Sequence, residues 1–119
     1  MNNAITIEDV KDAARQLAGI AVRTKLIEND ILNARTGGRI FIKPECLQRT
    51  GSFKIRGAYN CISRLSDAEK ARGVVAFSSG NHAQGVACAS KMLGVKAVIV
   101  MPTDAPAIKV ANTRGFGAE

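Results

Sequence analysis

Residues 74–85, with the sequence VVAFSSGNHAQG, decide the fold. The four apolar residues Val74 to Phe77 predict a short buried strand. The small polar residues Ser78-Ser79-Gly80 predict a turn directly after it. A helix is predicted from Asn81 to Leu93, and Gly94 supplies its C-terminal stop. A buried strand that leads through a tight turn into a helix is the building unit of a parallel α/β sheet.

The segments on either side of this unit continue the same alternation. Upstream, a helix is predicted from near Ser52 to about Arg64, and Ser66 to Glu69 form a capping box that opens a short helix. Downstream, Lys96 to Met101 predict a second buried strand, and Ala107 to Arg114 predict another helix. The order helix, strand, helix, strand, helix predicts an α/β fold, an open parallel sheet with helices on both faces.

Both ends of the chain depart from this alternation. Near the start, Thr6 and Asp9 have the spacing of a capping box before an amphipathic helix that Gly19 ends. Arg39 to Lys43 alternates as a strand does, and a proline closes it. At the other end, Gly117 to Glu119 look like the approach to a further strand, so the sheet is expected to be incomplete.

Composition narrows the classes of protein to which the chain can belong. Its 119 residues are 46% hydrophobic, which suits one compact domain. The net charge is +7, but lysine and arginine form no cluster of five or more. Aromatic residues make up only 4% and include no tryptophan, so a surface for stacking nucleic-acid bases is not expected. We predict a solvated basic surface and no nucleic-acid partner.

The cysteines and the N-terminal residues bear on metal sites and location. Cys46, Cys61 and Cys88 form no C-x-x-C pair, and His82 is the sole histidine, so no metal site is expected. Cys61 and Cys88 lie among apolar residues and are predicted to be small core residues. The first ten residues contain no apolar signal segment, and the longest apolar run, Ala97 to Met101, is too short to cross a membrane. We expect a cytoplasmic protein without a membrane partner.

Lys54 is one candidate functional residue, because it lies where a helix is predicted to start. The backbone N–H dipoles at that end of a helix favour a neutral, nucleophilic amine. Gly51 permits close backbone approach to a bound group. These facts alone favour an ordinary surface lysine on an amphipathic helix.

The turn at residues 78–80 is a second candidate site. A turn between a strand and a helix presents several N–H groups to an anion, at the sheet edge where α/β proteins bind ligands. The alternative is a plain helix start capped by Ser79 or Asn81. The polar residues that could donate hydrogen bonds here are Ser78, Ser79, Asn81, His82 and Gln84.

Two runs of sequence carry a family resemblance. LQRTGSFKIRGA at residues 47–58 closely resembles the lysine motif of the threonine and serine dehydratases and serine racemases. SSGNHAQG at residues 78–85 resembles the loop with which those enzymes bind the substrate carboxylate. The spacing of the two motifs and the downstream run VIVMP also fit. The resemblance covers nearly the whole chain and implies the N-terminal portion of a fold-type II pyridoxal-phosphate enzyme.

The resemblance implies a role for each residue of the two motifs. Lys54 would form a Schiff base with pyridoxal 5'-phosphate and then act as base at the substrate α-carbon. Phe53 would pack near the cofactor ring, and Asn81 would donate a hydrogen bond to the cofactor's phenolic oxygen. β-Elimination from L-threonine or L-serine would release ammonia and a 2-oxo acid. The substrate carboxylate would be held by Ser78, Ser79, Gly80, Asn81 and His82.

Several alternatives remain open at this point. A serine at the position of Ser79 is the second acid/base in racemases of this family, so serine racemisation competes with deamination. The family's glycine-rich phosphate loop, and the polar residue that faces its pyridine nitrogen, are not found and are expected beyond Glu119. We therefore expect a fragment, truncated gene product or partial chain, inactive alone, whose full-length form is a homo-oligomer. Residues 1–48 would be an arm on a larger, missing domain, and 49–119 a truncated small domain. A non-catalytic binding module is the remaining alternative.

Overall fold

The computed structural model describes residues 4–119. Met1 to Asn3, the start of the expected arm and of the segment inspected for a signal, lie outside this range. The helices are α1 Ile7–Gln16, α2 Asp30–Thr36, α3 Lys54–Ser63, α4 Asp67–Arg72, α5 Asn81–Leu93 and α6 Ala107–Gly115. The strands are β1 Ile27–Glu28, β2 Phe41–Ile42, β3 Val74–Phe77 and β4 Ala97–Val100, and short 3-10 turns cover Glu45–Leu47 and Arg49–Gly51.

The sheet that leads into the turn at residues 78–80, called here the candidate loop, is parallel, as the sequence predicts. β3 pairs with β4 so that Val74 lies opposite Ala97 and Phe77 opposite Val100. Glu119 pairs with the other edge of β4, because its N–H donates to the Ala97 carbonyl at 3.0 Å and its carbonyl accepts from the Ile99 N–H at 2.7 Å. The open parallel sheet and the approach to a further strand are therefore both confirmed.

The two faces of this sheet have different surroundings. Ala97 and Ile99 are buried beneath α5, which contacts both strands and lies between α3 and α6. The opposite side, called here the outer sheet face, consists of Val75, Phe77, Val98 and Val100, and all four are exposed. Within residues 4–119, helices thus cover one face of the sheet and not the other. The incompleteness that the sequence indicates extends to the second helical layer.

The hydrophobic core is built around α5. This helix is buried from Ala83 to Ser90, since small residues on nearly every side let its neighbours approach closely. α3 contributes Ile55, Ala58 and Ile62 to the same core. Cys88 is buried as predicted, and burial raises the pKa of its thiol. Cys61 is exposed, so its prediction as a core residue was wrong: it lines an open groove instead of the packed interior.

The N-terminal part, before α3, buries less apolar surface than the part from α3 onward. The capping box of α1 is confirmed, with the Thr6 hydroxyl accepting from the Asp9 N–H and the Asp9 carboxylate accepting from the Thr6 N–H. α2 was not predicted, although Asn29 caps it and Gly37 ends it in the left-handed conformation. Within residues 4–119, the buried hydrophobic residues all lie at or after Ile55.

An ion pair joins the N-terminal part to the helix that carries Lys54. Arg56 donates from Nε and Nη2 to the two carboxylate oxygens of Glu45, at 2.8 and 2.9 Å. Thr24 donates its hydroxyl to the same carboxylate at 3.1 Å. The hydrogen bonds from Arg56 hold the pKa of Glu45 at about 2, against the opposing effect of burial. The pair ties the first turn of α3 to the chain that precedes it.

The stability of the chain is expected to depend on pH through Glu45. A carboxyl whose pKa is lower in the folded state stabilises that state above its unfolded value of about 4.5, and the gain is lost as pH falls towards 2. Glu45→Gln should therefore lower the free energy of unfolding by about 1 kcal/mol at pH 6, after allowance for solvent screening. Urea unfolding at pH 6 and pH 3.5 should show a smaller difference between variant and parent at the lower pH. An equal difference at both values would contradict the assignment.

Candidate active site

Lys54 is the first residue of α3, where the sequence places it. The turn before it has two successive left-handed residues, Thr50 with φ 63° and Gly51 with φ 70°, which reverse the chain immediately ahead of the helix. Phe53 is the N-cap, and the Lys54 ammonium lies 5.0 Å from the centroid of its ring. Within residues 4–119 no carboxylate forms a salt bridge with Lys54. Its amine is thus not committed to a structural ion pair.

The backbone of Lys54 rests directly on α5. A Cβ added to Gly85 would lie 3.0 Å from both the carbonyl carbon and the Cβ of Lys54, closer than most side-chain contacts, so Lys54 would have to shift. Ile55, the next residue, is completely buried in the same contact between α3 and α5. Since Gly85 ends the SSGNHAQG motif, the absence of a side chain there brings the two motifs together.

The candidate loop follows β3 and leads into α5. The Ser78 N–H donates to the Val100 carbonyl at 3.0 Å, and the Gly80 N–H donates to the Ser78 hydroxyl at 3.2 Å. Gly80 is the N-cap of α5, and no side chain caps the helix. The alternative in which Ser79 or Asn81 caps α5 is therefore wrong.

The uncapped start of α5 leaves hydrogen-bond donors available. In the part of the chain that the structure describes, the amide N–H groups of Asn81, His82 and Ala83 have no protein acceptor. Such groups at a helix N-terminus attract an anion such as a carboxylate. The loop therefore has backbone N–H groups that can bind an anion, as the sequence predicts.

The side chains of the loop differ in their exposure and in the groups that surround them. Ser79, Asn81 and His82 are exposed, whereas Ser78 and Gly80 are half-buried. Asn81 accepts a hydrogen bond at Oδ1 from the Lys109 ammonium at 2.7 Å. His82 lines an apolar groove of about 270 Å³ between α3 and β3. The structure thus gathers the loop residues at one end of the sheet and separates the surroundings of Asn81 and His82.

A few residues that face this region had no clear signal in the sequence. A cleft of about 570 Å³ lies between the turn at Thr50, helix α5 and helix α6. Gln84 is buried beside it and accepts from the Asn112 amide at 2.9 Å. The hydrogen bonds of Lys109 and Asn112 cannot be predicted from the sequence, because they depend on how α6 packs against α5. Each bond joins residues that are 28 positions apart in the chain.

The residues present fit pyridoxal 5'-phosphate. Within residues 4–119 the Lys54 amine has no ion-pair partner and the Asn81 amide is exposed, so both are available to such a ligand. Just before Lys54, the Thr50 and Ser52 hydroxyls are buried without a hydrogen-bond partner, as polar groups beside a bound ligand often are. Within residues 4–119 no three His, Cys, Asp or Glu side chains lie close enough together to hold a metal ion. In the same range no helix has the length and apolar character needed to span a membrane.

Comparison with known proteins gives one consistent result. Residues 17–119 match the family model described as pyridoxal-phosphate dependent enzyme. The chain is 59% identical over 110 residues to an L-threo-3-hydroxyaspartate ammonia-lyase of a Pseudomonas species, covering 92% of this chain and 34% of that protein. It is 55% identical over 115 residues to the L-threonine ammonia-lyase of Thermotoga maritima, covering 97% of this chain and 29% of that protein.

Solved structures agree with the sequence relatives. The structure of maize serine racemase superposes with a TM-score of 0.92 and 42% identity, covering 98% of this chain and 35% of that one. The chain therefore spans about a third of the length of the proteins that it matches.

Proposed function

Because this chain belongs to the family of pyridoxal-phosphate dependent enzymes, we propose that it carries the cofactor lysine and the substrate-carboxylate loop of an ammonia-lyase. The proposed substrates are the hydroxy amino acids L-threonine and L-serine. One observation carries the proposal. The backbone of Lys54 packs against Gly85 of α5, and the first turn of that same helix has no side-chain cap and can bind a carboxylate. The names of the relatives, among them an L-threonine ammonia-lyase, support the same reaction.

Each residue of the site has a proposed task. Lys54 would hold the cofactor covalently through Nζ. Once the substrate amine has displaced Nζ from the cofactor, the freed Lys54 amine would accept the proton from the substrate α-carbon. The uncapped N–H groups of α5 bind the substrate carboxylate, together with Ser78, Ser79 and His82. Asn81 would donate from its amide to the phenolic oxygen, and Phe53 would pack near the cofactor ring. The bound cofactor supplies an electron sink for the charge that develops at the α-carbon.

The chemistry determines the products. Loss of the α-proton to Lys54 and of the β-hydroxyl, which would take up a proton and leave as water, would give an enamine. Its imine tautomer would then be hydrolysed by water to ammonia and a 2-oxo acid. We expect no turnover from the 119 residues alone, because a glycine-rich loop for the cofactor phosphate is not found in them. The arm at residues 1–48, the small domain at 49–119, the homo-oligomer and the cytoplasmic location stay predictions.

Racemisation of serine is a second candidate function. Its supporting observation is that Ser79 is exposed and does not cap α5, so its hydroxyl is available as a second acid/base. Similarity to maize serine racemase agrees with this candidate. The product separates the two reactions, because elimination from L-serine gives pyruvate and ammonia, whereas racemisation gives D-serine.

Reduction with borohydride in the presence of pyridoxal phosphate tests the proposed role of Lys54. Reduction fixes the cofactor on whichever lysine holds it, and peptide mass mapping then identifies that residue. We expect labelling at Lys54 to exceed that at each other lysine by about tenfold, because only its site offers further contacts to the ligand. Lys54→Arg should abolish the dominant label, whereas Lys25→Arg, which removes an exposed lysine, should not. Even labelling of all lysines would refute the assignment.

A further inference from the structure

Helix α6 reaches the first residue of α5 through one charged side chain. The Lys109 ammonium donates to Oδ1 of Asn81 at 2.7 Å. An ammonium has donors and no acceptor, so it can bond only to the oxygen of an asparagine amide and never to its NH₂ group. The NH₂ group of Asn81 is therefore turned away from Lys109 and remains available to a ligand.

The electrostatic setting of Lys109 is unusual. Lys109 is the third residue of α6, so its ammonium lies near the N-terminus of its own helix as well as that of α5. The dipoles of both helices disfavour a cation at these ends. No carboxylate in residues 4–119 forms a salt bridge with Lys109. Positive charge thus accumulates beside Asn81, and an anionic ligand oxygen would relieve it.

We propose that Lys109 is a positioning residue that fixes the amide of Asn81 with its NH₂ group directed at an anionic oxygen of the ligand. The inference rests on the proposed function, in which that oxygen is the phenolic oxygen of pyridoxal phosphate. With Lys109 in place, Asn81 presents a donor. With the amide rotated by 180°, it would present a carbonyl oxygen, which repels the same ligand atom.

Four variants separate orientation from charge. Lys109→Arg keeps a donor for Oδ1 and should behave as the parent. Lys109→Met leaves the amide free to rotate, which lowers the competent fraction and should reduce ligand affinity about twofold. Lys109→Glu accepts from the NH₂ group, reverses the amide, and should reduce affinity by about tenfold or more. Lys91→Glu, on α5, makes the same change in net charge away from Asn81 and is the matched control.

Two readouts test these expectations. The first is binding of pyridoxal phosphate, followed by the absorption spectrum of the bound cofactor and by borohydride trapping at Lys54. The second needs no ligand: the ¹⁵N–¹H signals of the Asn81 side-chain NH₂ group should shift in Lys109→Glu, where that group gains an acceptor. They should remain in place in Lys109→Arg and Lys91→Glu.

The outcomes keep the inference apart from the proposed function. If the parent traps cofactor at Lys54 and Lys109→Glu does so equally well, the positioning role is overturned and the proposed function stands. If the parent shows no preference for Lys54, the proposed function fails, and the Asn81 signals alone decide whether Lys109 sets the amide. Unchanged Asn81 signals in Lys109→Glu would overturn the inference in either case.

Discussion

A valine in place of Gly85 is expected to destabilise the chain by about 2–3 kcal/mol. A Cβ at this position would lie 3.0 Å from the carbonyl carbon and Cβ of Lys54, and 3.2 Å from the N atom of Ile55. Two of these three atoms belong to the backbone, so the first turn of α3 must move away from α5 as a unit. Urea unfolding followed by circular dichroism should show the loss as a lower midpoint.

The matched control for this substitution lies on the opposing helix. Gly57 is exposed on α3, and a Cβ added there meets no atom within 4 Å. Gly57→Val should therefore change the free energy of unfolding by no more than about 0.5 kcal/mol. Equal midpoints for the two valine variants would show that α3 and α5 do not touch at Gly85. Trapped cofactor in Gly85→Val should also be spread over several lysines, because Lys54 leaves its place.

Truncation of Ile55 is expected to have the largest effect on stability, a loss of about 3–4 kcal/mol in Ile55→Ala. This side chain is 0% exposed and packs in the core that α5 organises. Its removal costs the transfer energy of three carbon atoms and leaves a cavity that close helix packing prevents from collapsing. The urea midpoint again provides the measurement.

A second isoleucine provides the comparison. Ile108 on α6 is 64% exposed, so Ile108→Ala should cost less than about 0.5 kcal/mol. If Ile55→Ala does not fold, Ile55→Val should still lose about 1 kcal/mol. A midpoint for Ile55→Val equal to that of the parent would contradict the burial of this side chain.

The parts of the fold that the sequence predicts are those set by neighbouring residues. The strand and helix on either side of the candidate loop follow from a run of apolar residues, a turn of small residues and the left-handed Gly94. The capping boxes at Thr6 and Ser66 act over three residues, and both are confirmed. α2 was missed because its seven residues carry no clear apolar periodicity, although its cap and its terminating glycine were visible.

The local motifs of the site were predictable from the sequence, but the tertiary contacts between them were not. The two motifs identify Lys54 and the loop, and their assigned roles stay predictions. The alternative of a cap at Ser79 or Asn81 is wrong, because residue preferences for the cap position do not reveal that Gly80 occupies it. The contact of Gly85 with Lys54 and the hydrogen bond from Lys109 to Asn81 span 31 and 28 residues, so no local pattern encodes them.

The outer sheet face has a consequence for the colloidal behaviour of the molecule. Val75 and Phe77 are more than 70% exposed, and an apolar strand surface of this kind tends to adhere to a second copy. The net charge of +7 opposes such contacts through repulsion between whole molecules. Salt confines that repulsion to about 10 Å at 0.1 M and to about 3 Å at 1 M, while it leaves apolar attraction intact. We therefore expect copies of this chain to associate less at low ionic strength than at high ionic strength.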